Sequence, residues 1–121
     1  STISLEIQNV DIIAGTLDIY MINTEEVGGF QFQLFGATID GASGGSAEDN
    51  GFIINAQAAT YNAETDTQLP NILAFSLTGA TISPGEGVLL SVSFSAFEGE
   101  FCVLFIIIES LFLLLVLSVS V

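Results

Sequence analysis

The chain of 121 residues has no lysine, arginine or histidine, although it carries 14 aspartate and glutamate residues. Without cationic side chains it cannot neutralise phosphates, which excludes nucleic acid as a partner. Without imidazole, the Ser-His-Asp and Cys-His catalytic arrangements and histidine-containing zinc sites are excluded as well. The carboxylates must therefore be balanced by solvent cations or spread over the surface, where salt screens their repulsion.

Cysteine and tryptophan are also scarce, with one cysteine and no tryptophan. Cys102 cannot form a disulfide within the chain; its apolar surroundings predict a buried side chain, and a bridge between molecules is the alternative. A glycosidase could work with carboxylates alone, but no pair of acids is marked out and no tryptophan could line a sugar cleft. We therefore expect no enzymatic activity and predict no catalytic residue.

The apolar half of the sequence alternates with polar residues. This period of two is typical of strands with one face on a core and one in water. The inward positions are predicted to include Ile3, Leu5, Ile7, Leu17, Ile19, Met21, Phe30, Phe32, Leu34, Val88, Leu90, Val92 and Phe94. About nine short strands with glycine and asparagine turns predict an all-β fold, a single antiparallel β-sandwich domain over residues 1–121.

The stretch DGASGGSAEDNG, residues 40–51, is small, polar and acidic. Its length predicts a functional loop. Calcium takes oxygen ligands and needs no imidazole, so it is the one metal this composition suits. The candidate ligands are Asp40, Glu48, Asp49 and Asn50, although their spacing is not that of an EF-hand; the alternative is a set of solvated loop acids.

The last segment, residues 103–121, reads VLFIIIESLFLLLVLSVSV. Three interpretations remain open: a pair of buried terminal strands, a strand donated to a neighbouring molecule, and a membrane span. Glu109 and Ser110 divide it into apolar runs of six and seven residues, no basic residue flanks it, and it ends in alternating SVSV. These features disfavour the membrane span and favour strands.

A short sequence occurs twice, as FQLFGATI in residues 32–39 and as FSLTGATI in residues 75–82. Two copies are too few for a repeat architecture. In each copy we expect the phenylalanine and leucine to point into the core and the glycine to let the chain bend. The two copies lead into different segments, the first into an acidic loop and the second into the turn SPGEG.

Two longer stretches, GTLDIYMINTEEVGGFQFQLFGATIDGASGG and LAFSLTGATISPGEGVLLSVSFS, resemble the cohesin-like modules of secreted microbial proteins. The resemblance covers about residues 1–102. It implies a jelly-roll sandwich of nine strands that works by binding or assembly in extracellular or surface proteins. The residues after Cys102 depart from it, because they are leucine, phenylalanine and isoleucine where such modules place aspartate, asparagine and glycine.

The sequence thus predicts a non-enzymatic structural module, extracellular or at the cell surface, that associates with its own copies into a fibre, sheath or appendage. Because no cationic side chain is present to form a salt bridge, copies would meet through apolar contacts, through the backbone of strand edges, or through bridging cations from the solvent. The alternative is a monomeric recognition module of cohesin type, whose partner is another surface protein or a glycan. The first residues, STISLEIQ, contain neither a basic nor an apolar signal region, so the protein is either cytoplasmic or has lost an export signal, and the acid-only composition favours removal.

Overall fold

The computed structural model describes residues 3–56, 60–62, 67–69, 72–99, 102–109 and 114–120. These contain eleven strands and one short helix. The strands are β1 Ile3–Asp11, β2 Thr16–Asn23, β3 Val27–Phe35, β4 Thr38–Ser43, β5 Ile53–Ala56, β6 Thr60–Asn62, β7 Thr67–Leu69, β8 Ile72–Phe75, β9 Gly85–Ser95, β10 Cys102–Glu109 and β11 Leu114–Ser120, and helix α1 is Gly45–Asp49. The predicted all-β class is confirmed, with two strands more than the nine expected.

The strands form two main antiparallel sheets. One has four strands in the order β1-β2-β9-β4, and the other has five in the order β11-β10-β3-β8-β5. A separate two-stranded ribbon pairs β6 with β7. Apart from the hairpins β1-β2 and β10-β11, the pairs in the main sheets join strands that are distant or non-consecutive in sequence. The central pairs are therefore made by long-range contacts.

One cluster of buried apolar side chains draws on both main sheets. The four-stranded sheet contributes Leu17, Ile19 and Met21, each at most 2% exposed, and the five-stranded sheet contributes Phe30 and Phe32, each at most 1% exposed. The burial of these residues confirms the predicted inward faces of β2 and β3, and in β1 Ile3 and Ile7 are buried whereas Leu5 is half-buried. Because both sheets supply the same cluster, the hydrophobic residues of one sheet are covered by the other.

Strand β9 departs from simple alternation. Leu90 and Val92 are buried as predicted, but Leu89 is fully buried too and Val88 is only half-buried. A register shift between Ile19 and Tyr20 causes this, since Ile19 pairs with Leu90 whereas Tyr20 pairs with Val88. An extra residue in one strand moves the side chains that follow to the other face, so the inward placement predicted for Val88 is wrong.

The predicted loop over residues 40–51 is largely regular structure. Its first four residues complete β4, which pairs with β9, and Gly45–Asp49 form the helix α1. Ala47 of this helix is fully buried. The prediction of a long open loop is therefore wrong, because strand pairing and one buried alanine anchor a sequence whose composition is typical of a loop.

The terminal segment is paired within the chain. Strand β10 lies between β3 and β11, and Phe105 pairs with both Phe32 and Leu117. The interpretation of residues 103–121 as strands is confirmed for Cys102–Glu109 and Leu114–Ser120, whereas the burial of their side chains, including that of Cys102, lies outside what the structure describes. A different part of the chain, the connection from β5 to β8, contains the strands β6 and β7.

The two copies of the repeated sequence differ in burial. In the first copy Phe32 and Leu34 are each 1% exposed, as expected. In the second copy Leu77 is 77% exposed and Phe75 is half-buried. Strand β8 instead buries Ile72 and Ala74, which have the opposite alternation. The prediction that both copies share one inward pattern is wrong, because β8 ends at Phe75, before Leu77.

Candidate functional site

The four-stranded sheet has two ends with different surfaces. At one end, which we call the turn end, Thr16 of β2 pairs with Ser93 of β9; at the other, the cavity end, Asn23 pairs with Gly85. The turn end carries the hairpin between β1 and β2. The cavity end carries α1 and the connection that leads into β9. These two surfaces are the candidate sites for contact with other molecules.

A cavity of about 310 Å³ opens at the cavity end. Its buried residues are Met21, Asn23 and Ile82, and its more accessible ones include Ser46 of α1, Asn50 directly after α1 and Glu86 of β9. Next to it, two backbone hydrogen bonds of 3.0 and 2.8 Å between Val27 and Ile82 connect β3 to the segment that leads into β9. The volume lies at the lower limit of small-ligand pockets.

Asn23 is the one buried polar residue in the core as far as the structure describes it, at 3% exposure. Its Nδ2 donates to the carbonyl oxygens of Glu25 at 2.8 Å and Ser83 at 3.0 Å. These bonds connect the β2-β3 turn to the segment that leads into β9. Asn23 was missed from the sequence, although a polar residue that continues the inward alternation of Ile19 and Met21 was the available signal.

The outer face of the four-stranded sheet carries two side-chain clusters. Asp18 accepts hydrogen bonds from Ser91 Oγ at 2.6 Å and from Asn9 Nδ2 at 2.8 Å. The Tyr20 hydroxyl donates to Glu86 Oε2 at 3.0 Å. That hydrogen bond raises the pKa of Tyr20, with desolvation and then the negative charges of Glu86 and Glu6 adding to the effect.

The bond from Ser91, followed by the bond from Asn9, holds the pKa of Asp18 below its ordinary value, against a small opposing effect of burial. A lowered folded-state pKa stabilises the fold above the ordinary aspartate pKa of about 3.9 and loses this contribution as the pH falls through the folded-state value. We expect Ser91→Ala to return the Asp18 pKa toward normal, measured by NMR titration of the carboxyl carbon.

The same substitution should reduce the free energy of unfolding more at pH 7 than at a pH where Asp18 is protonated in both states. Acid also relieves repulsion among the other carboxylates, so the comparison must be between variant and wild type at each pH. Ser93→Ala, on the neighbouring exposed position of β9, is the matched control. An unchanged Asp18 pKa in Ser91→Ala would contradict this assignment.

The predicted calcium ligands are divided between the two ends of the sheet: Asp40 lies at the turn end, next to the residues that pair with Phe94 and Ser93, whereas the other three lie in or directly after α1. Asp40 is exposed at the register shift of β4 between Ile39 and Gly41, whereas Glu48 and Asp49 are exposed on α1. Asn50 is half-buried after the helix, and its Nδ2 donates to the Ser46 carbonyl at 2.7 Å. Within the described ranges, no group of three or more acidic, histidine or cysteine side chains could hold a metal ion. Calcium binding by these four residues stays a prediction.

The turn end displays an apolar surface, which we call the apolar turn: Val10, Ile12 and Ile13, exposed by 39%, 61% and 96%. Asp11 fixes its shape, because Oδ1 accepts from the backbone N–H groups of Ile13 at 3.0 Å and Ala14 at 2.9 Å. Isoleucines displayed on an ordered turn indicate a contact site more strongly than scattered exposed residues do. From the sequence alone this segment is only a break between strands.

Comparison with known proteins yields no relative. No family model matches the chain, and no curated protein or solved structure matches it. No helix in the described part of the chain is long and apolar enough to cross a membrane. The function must therefore be inferred from the surfaces of this molecule.

Proposed function

We propose that this protein is a non-enzymatic structural module that associates with its own copies into a fibre, sheath or appendage outside the cell or on its surface. The observation that carries the proposal is the apolar turn, where Ile13 is 96% exposed on a turn that Asp11 holds in shape. A fixed turn loses little conformational entropy when it binds. Burial of two isoleucines contributes about 3–6 kcal/mol before the costs of association.

Charge supports this mode of contact. All ionisable side chains other than cysteine and tyrosine are acidic, so two copies repel each other over most of their surfaces. The apolar turn includes one acid, Asp11, whose carboxylate is already engaged by two backbone N–H groups. The apolar turn can therefore approach another copy with little charge repulsion. Salt should promote the association, because it screens the repulsion between the carboxylates on the remaining surface.

Strand edges offer a second kind of contact. In the described residues, β1 and β4 are the outer strands of the four-stranded sheet, and β5 is one outer strand of the five-stranded sheet. Outer strands present backbone groups that can pair with another chain. Contacts between different surfaces of successive copies do not close and therefore produce filaments.

The arrangement we favour is a cohesin-like jelly-roll sandwich, comprising residues 1–121 as one domain. Two antiparallel sheets that share one buried cluster support it, together with the sequence resemblance. The export and surface location follow from the same resemblance and from the acid-only composition. The second candidate, a monomeric recognition module for a surface protein or glycan, is favoured by the cavity at the opposite end from the apolar turn.

Light scattering and negative-stain microscopy at rising salt concentration test the proposal. We expect wild-type filaments, and we expect particles near 12.7 kDa for the double variant Ile12→Ser, Ile13→Ser. Ile22→Ser is the control, because Ile22 is 44% exposed but lies within a strand rather than on the turn. Wild-type monomers at all salt concentrations would refute self-association and leave the recognition module.

A chelator separates two kinds of assembly. Filaments that persist without free calcium are held by apolar and backbone contacts. Filaments that dissolve on chelation and reform with calcium would show that cations bridge the acidic copies, and Glu48→Gln with Asp49→Asn should then remove the calcium dependence. Loss of assembly in the isoleucine variant with no calcium dependence is the result expected here.

A further inference from the structure

The cavity at the end of the four-stranded sheet exists because two inward positions of β9 carry no side chain. Gly85 pairs with Asn23, and Gly87 pairs with Met21. Residues that lie directly opposite each other in an antiparallel pair share a face of the sheet, and Asn23 and Met21 are buried. A Cβ added at either glycine would meet no atom within 4 Å. The start of β9 therefore leaves an interior space that the described residues do not fill.

The inner wall of this cavity is apolar. Met21 and Ile82 line it and are 2% and 5% exposed. Asn23 lines it too, but its Nδ2 already donates to two backbone carbonyl oxygens. Glu86 is the one acid among the lining residues, and its carboxylate accepts from the Tyr20 hydroxyl on the outer face of the sheet. The cavity therefore suits an apolar group more than a charged one.

The apolar turn at the opposite end of the same sheet has the shape and chemistry of such a group. Besides the two bonds to the Asp11 carboxylate, the Gly15 N–H donates to the Asp11 carbonyl oxygen at 2.8 Å, and the Gly15 carbonyl oxygen accepts from the Phe94 N–H at 2.8 Å. These bonds fix the turn against β9 while Ile13 stays 96% exposed. Because the turn is ordered before it binds, little conformational entropy is lost on contact.

We propose that the apolar turn of one copy seats in the cavity of the next copy, where Ile13 contacts Met21 and Ile82. This inference rests on the proposed self-association and names the surface that receives the turn. The volume of about 310 Å³ is sufficient, since a cavity of about 150 Å³ binds benzene and an isoleucine side chain has fewer carbon atoms than benzene.

The position of the two surfaces determines the kind of assembly. They lie at opposite ends of the β2-β9 pair, so each copy uses its turn on one neighbour and its cavity on the other. Contacts between two different surfaces extend into filaments when they do not close into a ring, and here the filament axis runs along the strands. A contact between two turns would instead be symmetric and would stop at a dimer.

The test uses two variants that each disable one end. Ile12→Ser with Ile13→Ser removes the apolar turn, and Ser46→Tyr fills the cavity, which Ser46 lines from α1. We expect each variant alone to remain near 12.7 kDa, and an equimolar mixture to form particles of twice that mass in sedimentation. Ser4→Tyr is the control, because Ser4 is exposed at the same end of the sheet but does not line the cavity. It should form filaments as the wild type does.

Met21 reports on the cavity itself, because it is the one methionine of the chain and lines the cavity. The turn variant, carrying a carbon-13 label on this methyl group, is titrated with unlabelled Ser46→Tyr, and we expect a saturable shift of the methyl signal. Adding Ile13→Ala to the titrant should weaken binding at least about tenfold, because most of the buried side chain is lost. Adding Leu77→Ala should change nothing, since Leu77 is 77% exposed but is not on the turn.

The outcomes separate this inference from self-association in general. Dimers of Ser46→Tyr would show that turns pair with turns, and filaments of Ser46→Tyr would show that the turn seats on another surface; either result overturns the inference and leaves self-association standing. An unshifted Met21 signal at excess titrant overturns it as well. Wild-type monomers at all salt concentrations would refute self-association and this inference together. If the amide spectrum shows that Ser46→Tyr is unfolded, Ser83→Tyr, in the exposed segment that also lines the cavity, replaces it in every arm.

Discussion

Replacing Phe30 with alanine should destabilise the protein by about 3–5 kcal/mol, the usual cost of removing a buried phenylalanine ring. Phe30 is fully buried in β3, the central strand of the five-stranded sheet. Its ring lies 6.1 Å from that of Phe32 and 6.4 Å from that of Phe52, measured between centroids. The truncation therefore loses aromatic contacts within β3 and to the segment that follows α1.

A loss of this size is a large part of the roughly 5–15 kcal/mol that stabilises a typical domain. It is measured by urea denaturation at a protein concentration low enough to prevent association, because association also stabilises the folded state. Ile13→Ala is the control: its side chain is 96% exposed, and we expect a change within about 0.5 kcal/mol. Equal effects of the two substitutions would show that Phe30 is not in the core.

Replacing Gly15 with alanine should cost about 3 kcal/mol, measured in the same way. Gly15 is buried with φ +75°, and an added Cβ would collide with the Phe94 carbonyl oxygen. The left-handed conformation costs a non-glycine residue about 1–2 kcal/mol. Moving Phe94 away would also weaken the 2.8 Å bond from its N–H to the Gly15 carbonyl, worth about 0.5–1.5 kcal/mol.

Gly79→Ala separates these two contributions. Gly79 has nearly the same conformation, φ +79°, but an added Cβ would meet no atom within 4 Å. Its substitution should cost only the conformational contribution, about 1–2 kcal/mol. If the two alanine variants lose the same stability, the close approach between the β1-β2 turn and β9 makes no energetic contribution.

Alternation along a strand is a local property, and it was sufficient to predict the all-β class and the inward faces of β2 and β3. The failures occurred where a distant strand decides the outcome. Val88 faces outward because of a shift in the pairing of β9 with β2. Leu77 is exposed because the pairing of β8 with β3 and β5 ends at Phe75. Neither event is encoded in the neighbouring residues.

The candidate sites were less predictable than the fold. Composition drew attention to Asp40, Glu48 and Asp49, which are all exposed, whereas the cavity depends on Asn23 and Glu86, which lie 63 positions apart in the sequence. Only the pairing of β2 with β9 places both at the cavity end. The apolar turn was obscured for a different reason, since isoleucine in a sequence normally predicts burial.

The hydrogen bond between Asp18 and Ser91 joins residues 73 positions apart. Strand pairs between such distant residues affect how the chain folds during its synthesis. Strand β2 pairs with β9, and β3 pairs with β10. Neither main sheet can therefore form until these later strands have been synthesised and have left the ribosome. Chains with such distant pairings fold slowly. At about 5–20 residues per second of synthesis, the apolar strands of the first half wait several seconds uncovered, so a holding chaperone would benefit production of this protein.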